Sequence, residues 1–351
     1  MIKIKIAIVG CGRIFNKHYS AINKLKNFFT VESVCDLDLK KIKNKKIGNK
    51  IKVFESINDL GKNSKADLAV VLTPSGFHYS HIIALSRFFN NIIVEKPVVM
   101  NTYQALRIEK YCKKKKINLF IVKQNRYNPA IKKLKQAIDQ NKFGKVFLST
   151  IRLRWSRDDS YFLQDKWRGT WKNDGGVLAN QASHHIDLLQ WLMGDIKSVY
   201  AKTLRVTKKT KADDTCLAIL KFKNGALGSI EVTTATRPKD LEGSISVLGE
   251  YGTVVIGGFA VSRIDTWQFK KVKKNDQSIL KHSSNPKNVY GFGHIEFYKN
   301  IYYYINKKKN YVTTLSEGVK SIKIIDKIYG SSETSKEVFI NDNIFSKKLG
   351  K

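Results

Sequence analysis

Residues 5–25 read KIAIVGCGRIFNKHYSAINKL, an apolar strand, a glycine turn and a helix with nothing between them. Few folds accept that succession. Gly10 and Gly12 let the backbone turn tightly and bring its amides to a pyrophosphate, which the positive end of the following helix favours. The third position of the usual glycine spacing holds Phe15, so the helix should shift slightly while the phosphate cradle survives. A second strand, TVESVCD, ends in Asp36 about 20 residues past the turn, where a carboxylate accepts hydrogen bonds from an adenosine ribose. An acid there repels a 2′-phosphate, and Leu37 brings no compensating charge, so NAD is expected rather than NADP.

Two more strands, ADLAVVLTP and NIIVEKP, flank a helix rich in Ile82, Ile83 and Leu85. Strands alternating with helices predict a parallel, doubly wound sheet. Ligands of such sheets collect at the C-terminal strand ends, which places Asp36, Thr73, Pro74, Glu95 and Lys96 around one crevice.

Further on, GGVLANQASHHIDLLQWLMG occupies residues 175–194. The intervals between Val177, Leu178, Ile186, Leu188, Leu189 and Leu192 predict a helix. On it Asn180 and His184 share a face, while His185 is turned about 100° away. Adjacent helical histidines cannot both face one ion, so no metal site is expected. A catalytic face and an ordinary core histidine both stay open from this stretch alone.

The net charge of +35 raises the question of nucleic acid. Only 11 of the 64 basic residues are arginine, and the lysines spread in short runs such as Lys113 to Lys116. That is the pattern of solvated faces and non-specific attraction to polyanions, so no specific nucleic-acid partner is expected. Four arginines, Arg152, Arg154, Arg157 and Arg168, crowd into 17 residues. A guanidinium suits phosphate or carboxylate, although Asp158, Asp159 and Asp165 compete for the same donors. Four cysteines without a CxxC pair argue for a reducing compartment. With no apolar run near membrane length and no cleavable leader before the first strand, a cytoplasmic protein without a membrane partner is expected.

GCGRI at 10–14, TPSGFH at 73–78, EKP at 95–97 and the 175–194 segment together resemble the Gfo/Idh/MocA oxidoreductase family. The resemblance continues through LGEYGTVVIGG at 248–258 and LSEGVKSIKIIDKIYGSSETSKEV at 315–338. It implies an α/β chain of two domains. Residues 1–125 would form an NAD-binding Rossmann domain with a doubly wound parallel sheet. Residues 126–351 would form a C-terminal α/β domain with an open, mostly antiparallel sheet for substrate binding and oligomerisation, its last helix returning to the first domain. SVYAKTLRV, CLAILKF, ALGSIEVTT and SISVLG, separated by turns such as Lys223-Asn224-Gly225, read as strands of that second sheet.

The resemblance also implies roles. Gly10, Gly12, Arg13, Ile14, Asp36, Thr73, Pro74, Ser75, His78, Glu95 and Lys96 would border the cofactor. Lys96 matches the family's active-site lysine, and His184 the histidine of its D-x-x-x-H helix. The aspartate of that motif is Asn180 here, which can neither take a proton nor hold charge. Proton transfer then falls on His184 and Lys96, either of which can be the base.

QNRYNPA at 124–130, RWSRDDSYF, DKWRGTWKNDGG at 165–176 and NQASHHIDLLQW narrow the resemblance to a nucleotide-sugar branch. It is most similar to the UDP-N-acetylglucosaminuronate 3-dehydrogenases of bacterial lipopolysaccharide biosynthesis. In that branch asparagine replaces the aspartate, and Gln124, Trp167 and Arg168 would help hold NAD. Arg157 and Asn180, with Lys96 and His184, would meet the nucleotide-sugar substrate. The branch further implies oxidation of a C3 hydroxyl, reoxidation of the cofactor by a 2-oxo acid such as 2-oxoglutarate, and a homo-oligomer, dimer or tetramer. Reductases of 3-keto nucleotide sugars often carry tyrosine where His184 stands, and a polyol dehydrogenase has no use for the arginine cluster. Intact Lys96 and His184 speak against a non-catalytic binding protein.

Overall fold

A computed structural model describes residues 2–271, 278–284, 291, 293–308 and 310–351. The N-terminal elements are β1 (Ile4–Val9), α1 (Phe15–Lys24), β2 (Phe29–Cys35), α2 (Leu39–Lys43), β3 (Lys52–Phe54) and α3 (Ile57–Asn63). They continue with β4 (Leu68–Val71), α4 (His78–Leu85), β5 (Asn91–Val94), α5 (Thr102–Lys115) and β6 (Asn118–Ile121). Then come α6 (Pro129–Asp139), β7 (Val146–Arg154), α7 (Asp159–Leu163), α8 (Ser183–Met193), β8 (Ile196–Leu204) and β9 (Thr215–Phe222). The chain closes with β10 (Leu227–Thr233), β11 (Glu242–Gly249), β12 (Gly252–Gly257), β13 (Arg263–Phe269), α9 (Gly293–Ile305), α10 (Leu315–Thr334) and β14 (Val338–Phe339). Two compact units result. One comprises Met1–Val99, Tyr103–Lys123 and His294–Val319, the other Met100–Thr102, Gln124–Gly293 and Lys320–Lys351.

The first unit is built on a six-stranded sheet of order β3-β2-β1-β4-β5-β6, parallel at every pairing. β4 is buried along its whole length and β1 nearly so, which is why their sequences are continuous apolar runs: helices cover both faces. Each such valine or isoleucine contributes about 1.5–3 kcal/mol by leaving water. Strand order reverses between β1 and β4, and the loops there lie at the C-terminal strand ends, as the sequence predicts for a doubly wound sheet.

The second unit carries an eight-stranded sheet, β13-β12-β11-β7-β10-β9-β8-β14, antiparallel except between β7 and β10. β9 alternates in the manner of a sheet with one covered face: Cys216, Ala218, Leu220 and Phe222 inward, Leu217, Ile219 and Lys221 outward. α8 lies on the inward face. Its His185 ring meets Trp155 edge-on at 5.9 Å, and a Cβ on Gly243, paired with Leu153, would lie 3.0 Å from His185 Nε2. Arg152 and Arg154 alternate with Ile151 and Leu153, so they project from the opposite face, level with Glu231 and Thr233.

Residues 175–194 depart from the single helix that their periodicity predicts. Val177–Gln181 forms a π turn, closed by the Ala182 amide donating to the Val177 carbonyl five residues back at 2.8 Å, and the α-helix begins at Ser183. Outside partners widen this turn. Val177 N–H donates to the Asp213 carbonyl at 2.9 Å, and Leu178 N–H reaches the Tyr329 hydroxyl at 3.4 Å. Gly176, at φ +72°, makes the approach possible, since a Cβ there would lie 2.6 Å from the Asp213 oxygen. All four cysteines are free and buried. Among the described residues no helix is long and apolar enough to cross a membrane.

Candidate functional site

The first unit gathers its candidate residues at the C-terminal ends of β1, β2, β4 and β5. Gly10 leaves β1 at φ +100°, and a Cβ there would sit 2.7 Å from the Leu72 carbonyl carbon, so the turn demands glycine. Gly12 is the opposite case: a Cβ would meet nothing within 4 Å, leaving open space above the start of α1. That helix begins without a side-chain cap. Asp36, just past β2, accepts the Cys11 N–H on Oδ2 at 2.8 Å and the Asp38 N–H on Oδ1 at 3.0 Å. An open glycine face, an uncapped helix start and a carboxylate fixed beside them fit a dinucleotide. Gly10, Gly12, Arg13 and Ile14 would border its phosphates and Asp36 its ribose.

Thr73, Pro74 and Ser75 form the loop after β4. His78 ties that loop to the one after β5: its Nε2 lies 2.8 Å from the Thr73 carbonyl and its Nδ1 2.7 Å from that of Pro97. Burial pushes the His78 pKa down, and a neutral ring donates to one of the two carbonyls at a time. The side chain, 1% exposed, acts on the crevice by holding its two rims.

Glu95 turns inward. His18 Nδ1 lies 2.8 Å from the Tyr298 hydroxyl, and His18 Nε2 donates to Glu95 Oε1 at 2.9 Å. Glu95 Oε2 accepts the backbone N–H of Lys96 at 3.0 Å. His294 Nε2 stands 4.0 Å from Oε1. Burial by itself would raise the pKa of this carboxyl, but the His18 hydrogen bond and the charges of His18, His294 and Lys96 outweigh it and hold it at about 2. Burial pushes His294 down to about 3. His18, Glu95 and His294 thus bring ligand-type atoms within 4.8 Å of one another, with Oε1 already engaged by His18. The sequence holds a faint signal for this cluster, in the lone histidines that α1 and α9 carry among apolar residues.

In the second unit Asn180 lies on the π turn and His184 in the first turn of α8, both half-buried. Gln124 opens a short 3₁₀ turn, Gln124–Tyr127, and its Nε2 is 3.0 Å from His184 Nε2. Two residues later, Arg126 makes a two-pronged bridge to Asp187, Nε to Oδ2 at 2.8 Å and Nη2 to Oδ1 at 2.9 Å. These side chains are 1% and 2% exposed. Arg126 also lies 5.1 Å from the Trp191 ring.

The arginines separate into two sets. Arg152 and Arg154, on the sheet face away from α8, pair with Glu231, and Arg154 also with Glu242. Arg157 and Arg168 both lie over the Tyr161 ring, 5.4 and 4.5 Å from its centroid. Arg157 donates to Asp240 at 2.9 Å; Arg168 donates to Asp165 at 3.0 Å and to the Tyr161 hydroxyl at 2.6 Å, with Trp167 stacked at 4.7 Å. Gln181, on the π turn, donates to the same hydroxyl at 2.9 Å. Tyr161, Gln181 and Asp240 escaped the sequence reading, because nothing in their spacing marks them.

Residues 4–123 match the Gfo/Idh/MocA family description "Oxidoreductase family, NAD-binding Rossmann fold", and residues 135–340 match "Oxidoreductase family, C-terminal alpha/beta domain". The WlbA dehydrogenase of Bordetella pertussis, solved in complex with NADH and UDP-GlcNAcA, is 36% identical, with a TM-score of 0.92 over 96% of this chain and 97% of that one. The WlbA dehydrogenase of Chromobacterium violaceum, with the same two ligands, is also 36% identical, with a TM-score of 0.90 over 96% of each chain. Myo-inositol 2-dehydrogenase of Thermotoga maritima is 26% identical over 235 residues, 65% of this chain and 68% of its own length.

Proposed function

Since the chain belongs to the Gfo/Idh/MocA oxidoreductases and is an NAD-dependent enzyme of sugar or polyol alcohols, we propose that it oxidises the C3 hydroxyl of a UDP-sugar acid such as UDP-N-acetylglucosaminuronic acid. The observation that carries this reading is the likeness, at 36% identity across 96% of the chain, to two dehydrogenases solved with NADH and UDP-GlcNAcA. A second reading, oxidation of a free polyol, draws on the likeness to myo-inositol 2-dehydrogenase, which spans less of the chain at lower identity.

Bound NAD supplies the hydride acceptor. The chain's own residues supply the rest. His184 takes the hydroxyl proton as the C3–H bond gives up its hydride and the carbon–oxygen double bond forms. Lys96, as an ammonium, polarises the same oxygen. Asn180 holds a neighbouring hydroxyl without adding charge. Trp167 and Arg168 support the cofactor. Arg157 meets the diphosphate or the sugar carboxylate; Asp240 and the Ser156 carbonyl engage its Nη1, and a guanidinium has further N–H donors to give. A homo-oligomer formed through the outward sheet face is supported by its exposed Leu217, Ile219 and Leu227.

The test is incubation with a panel of UDP- and dTDP-sugars, free inositols, NAD and 2-oxoglutarate, read by mass for a product two hydrogens lighter. A keto product from a UDP-sugar acid, formed catalytically when 2-oxoglutarate is present, supports the reading; turnover of inositols alone sinks it. Lys96→Ala and His184→Ala should each abolish turnover and leave NAD binding intact.

A further inference from the structure

The contact between Gln124 and His184 has a chemical direction. An amide nitrogen can only donate, so the imidazole nitrogen 3.0 Å away must accept. His184 Nε2 is therefore unprotonated when the ring is neutral, and the proton resides on Nδ1. A proton acceptor needs that tautomer; the one lone pair of Nε2 that takes the Gln124 N–H in the resting ring is the one a substrate hydroxyl must reach, so the amide holds that lone pair bare and yields it when substrate enters. Gln124 is 3% exposed and begins the turn whose Arg126 is clamped to Asp187, one helical turn beyond His184. One buried ion pair thus fixes the distance between the amide and the ring.

The same contact becomes repulsive once His184 takes a proton, because two donors then face each other. The other end of the amide answers this. Gln124 Oε1 is buried and has no hydrogen-bond partner. Turning the carboxamide over about its last bond exchanges the two ends and offers Oε1 to the new Nε2–H. A carboxamide can serve Nε2 with or without its proton, a carboxylate only with it, and an alkyl group neither.

We propose that Gln124 is a positioning residue for His184: it selects the Nδ1–H tautomer of the resting ring and reverses its amide to accept from the protonated ring. This rests on the reading of His184 as proton acceptor and extends it to a residue expected from the sequence to contact cofactor.

The decisive experiment reads the tautomer directly. Protein labelled with ¹⁵N-histidine is studied by long-range proton–nitrogen correlation in mildly alkaline buffer, the His184 signals being those lost in His184→Asn. The wild type should show Nε2 bare and Nδ1 protonated. Gln124→Glu, nearly the same shape, should draw the proton onto Nε2, and Gln124→Leu should leave a mixture. An identical tautomer in all three proteins overturns the proposal. With a turned-over substrate, both variants should lower kcat roughly tenfold to hundredfold with KM for NAD within about twofold. A rise in KM for NAD with kcat unchanged would make Gln124 a cofactor contact and overturn the proposal too. The tautomer measurement needs no substrate, so it stands or falls separately from the identity of the sugar.

Discussion

Glu95→Gln removes a buried anion while keeping its shape, and its effect can be worked from the structure. The carboxyl has an ordinary value of 4.5 and is held at about 2 in the fold. The difference is roughly 2.5 pH units, and at about 1.4 kcal/mol each it makes the ionised form worth roughly 3–4 kcal/mol to folding at neutral pH. The sign follows from the direction. A carboxyl whose pKa falls on folding contributes its stability above about 4.5 and loses it as the pH drops toward 2. The variant has nothing to titrate there. It should be less stable than the wild type by roughly 3–4 kcal/mol at neutral pH, and the gap should narrow as the solution is acidified below 4.5. The readout must belong to the first unit. All five tryptophans, Trp155, Trp167, Trp171, Trp191 and Trp267, lie in the second, so fluorescence would report the wrong part. Hydrogen exchange of β5 peptides across a urea series, repeated from about pH 7 to about pH 4, gives the required free energies. A stability gap that is constant with pH, or a neutral variant as stable as the wild type, would refute the reasoning.

Asp187→Asn takes the charge from the carboxylate that faces the Arg126 guanidinium, 1% exposed, and the second unit should lose about 3–5 kcal/mol. Trp191 beside Arg126 makes fluorescence-detected urea unfolding the natural measurement, and a loss below about 1 kcal/mol would contradict a desolvated pair. Asp36→Ala strips the acceptor from the Cys11 and Asp38 amides and removes the charge that excludes a 2′-phosphate. Titration calorimetry should show NAD binding weakened by about tenfold and its margin over NADP reduced. Gly176→Ala forces a Cβ to 2.6 Å from the Asp213 oxygen at a positive φ. It should cost about 2 kcal/mol or more and lower both the melting temperature and turnover.

What the sequence disclosed follows a physical division. The parallel sheet was legible because burial on both faces writes itself as unbroken apolar runs, as in IKIAIV and LAVV. The glycine turn and Asp36 were legible because backbone geometry leaves few choices of residue. The start of the 175–194 segment was not. Periodicity reports which side is buried, and a π turn keeps Val177, Leu178 and Ala179 buried while changing the backbone that presents them. The tie that widens it comes from Tyr329, 151 residues away from Leu178, and no local pattern carries that information. The same limit hid the Arg126–Asp187 bridge, 61 residues apart, and the union of His18 with Tyr298, 280 apart. Composition marks a charged residue as available; it cannot say that the fold has already engaged it.

The arginines make this last point quantitative in sign. Arg152, Arg154, Arg157 and Arg168 look like a strongly cationic patch when read along the chain, within a protein of net charge +35. In the fold each faces a carboxylate, from Glu231, Glu242, Asp240 or Asp165, and two of the four stand on the sheet face that α8 does not cover. The patch is close to neutral. Attraction over distance would then come from the dispersed lysines, which salt screens and which select no particular anion. On the proposed function, selection of an anionic substrate would come from what Arg157 retains after pairing: a planar guanidinium over Tyr161, oriented by Asp240, with further N–H donors in fixed directions. A carboxylate or phosphate entering there exchanges one hydrogen-bond partner for another, so its affinity is set by the fit of its oxygens to that fork and only weakly by its charge.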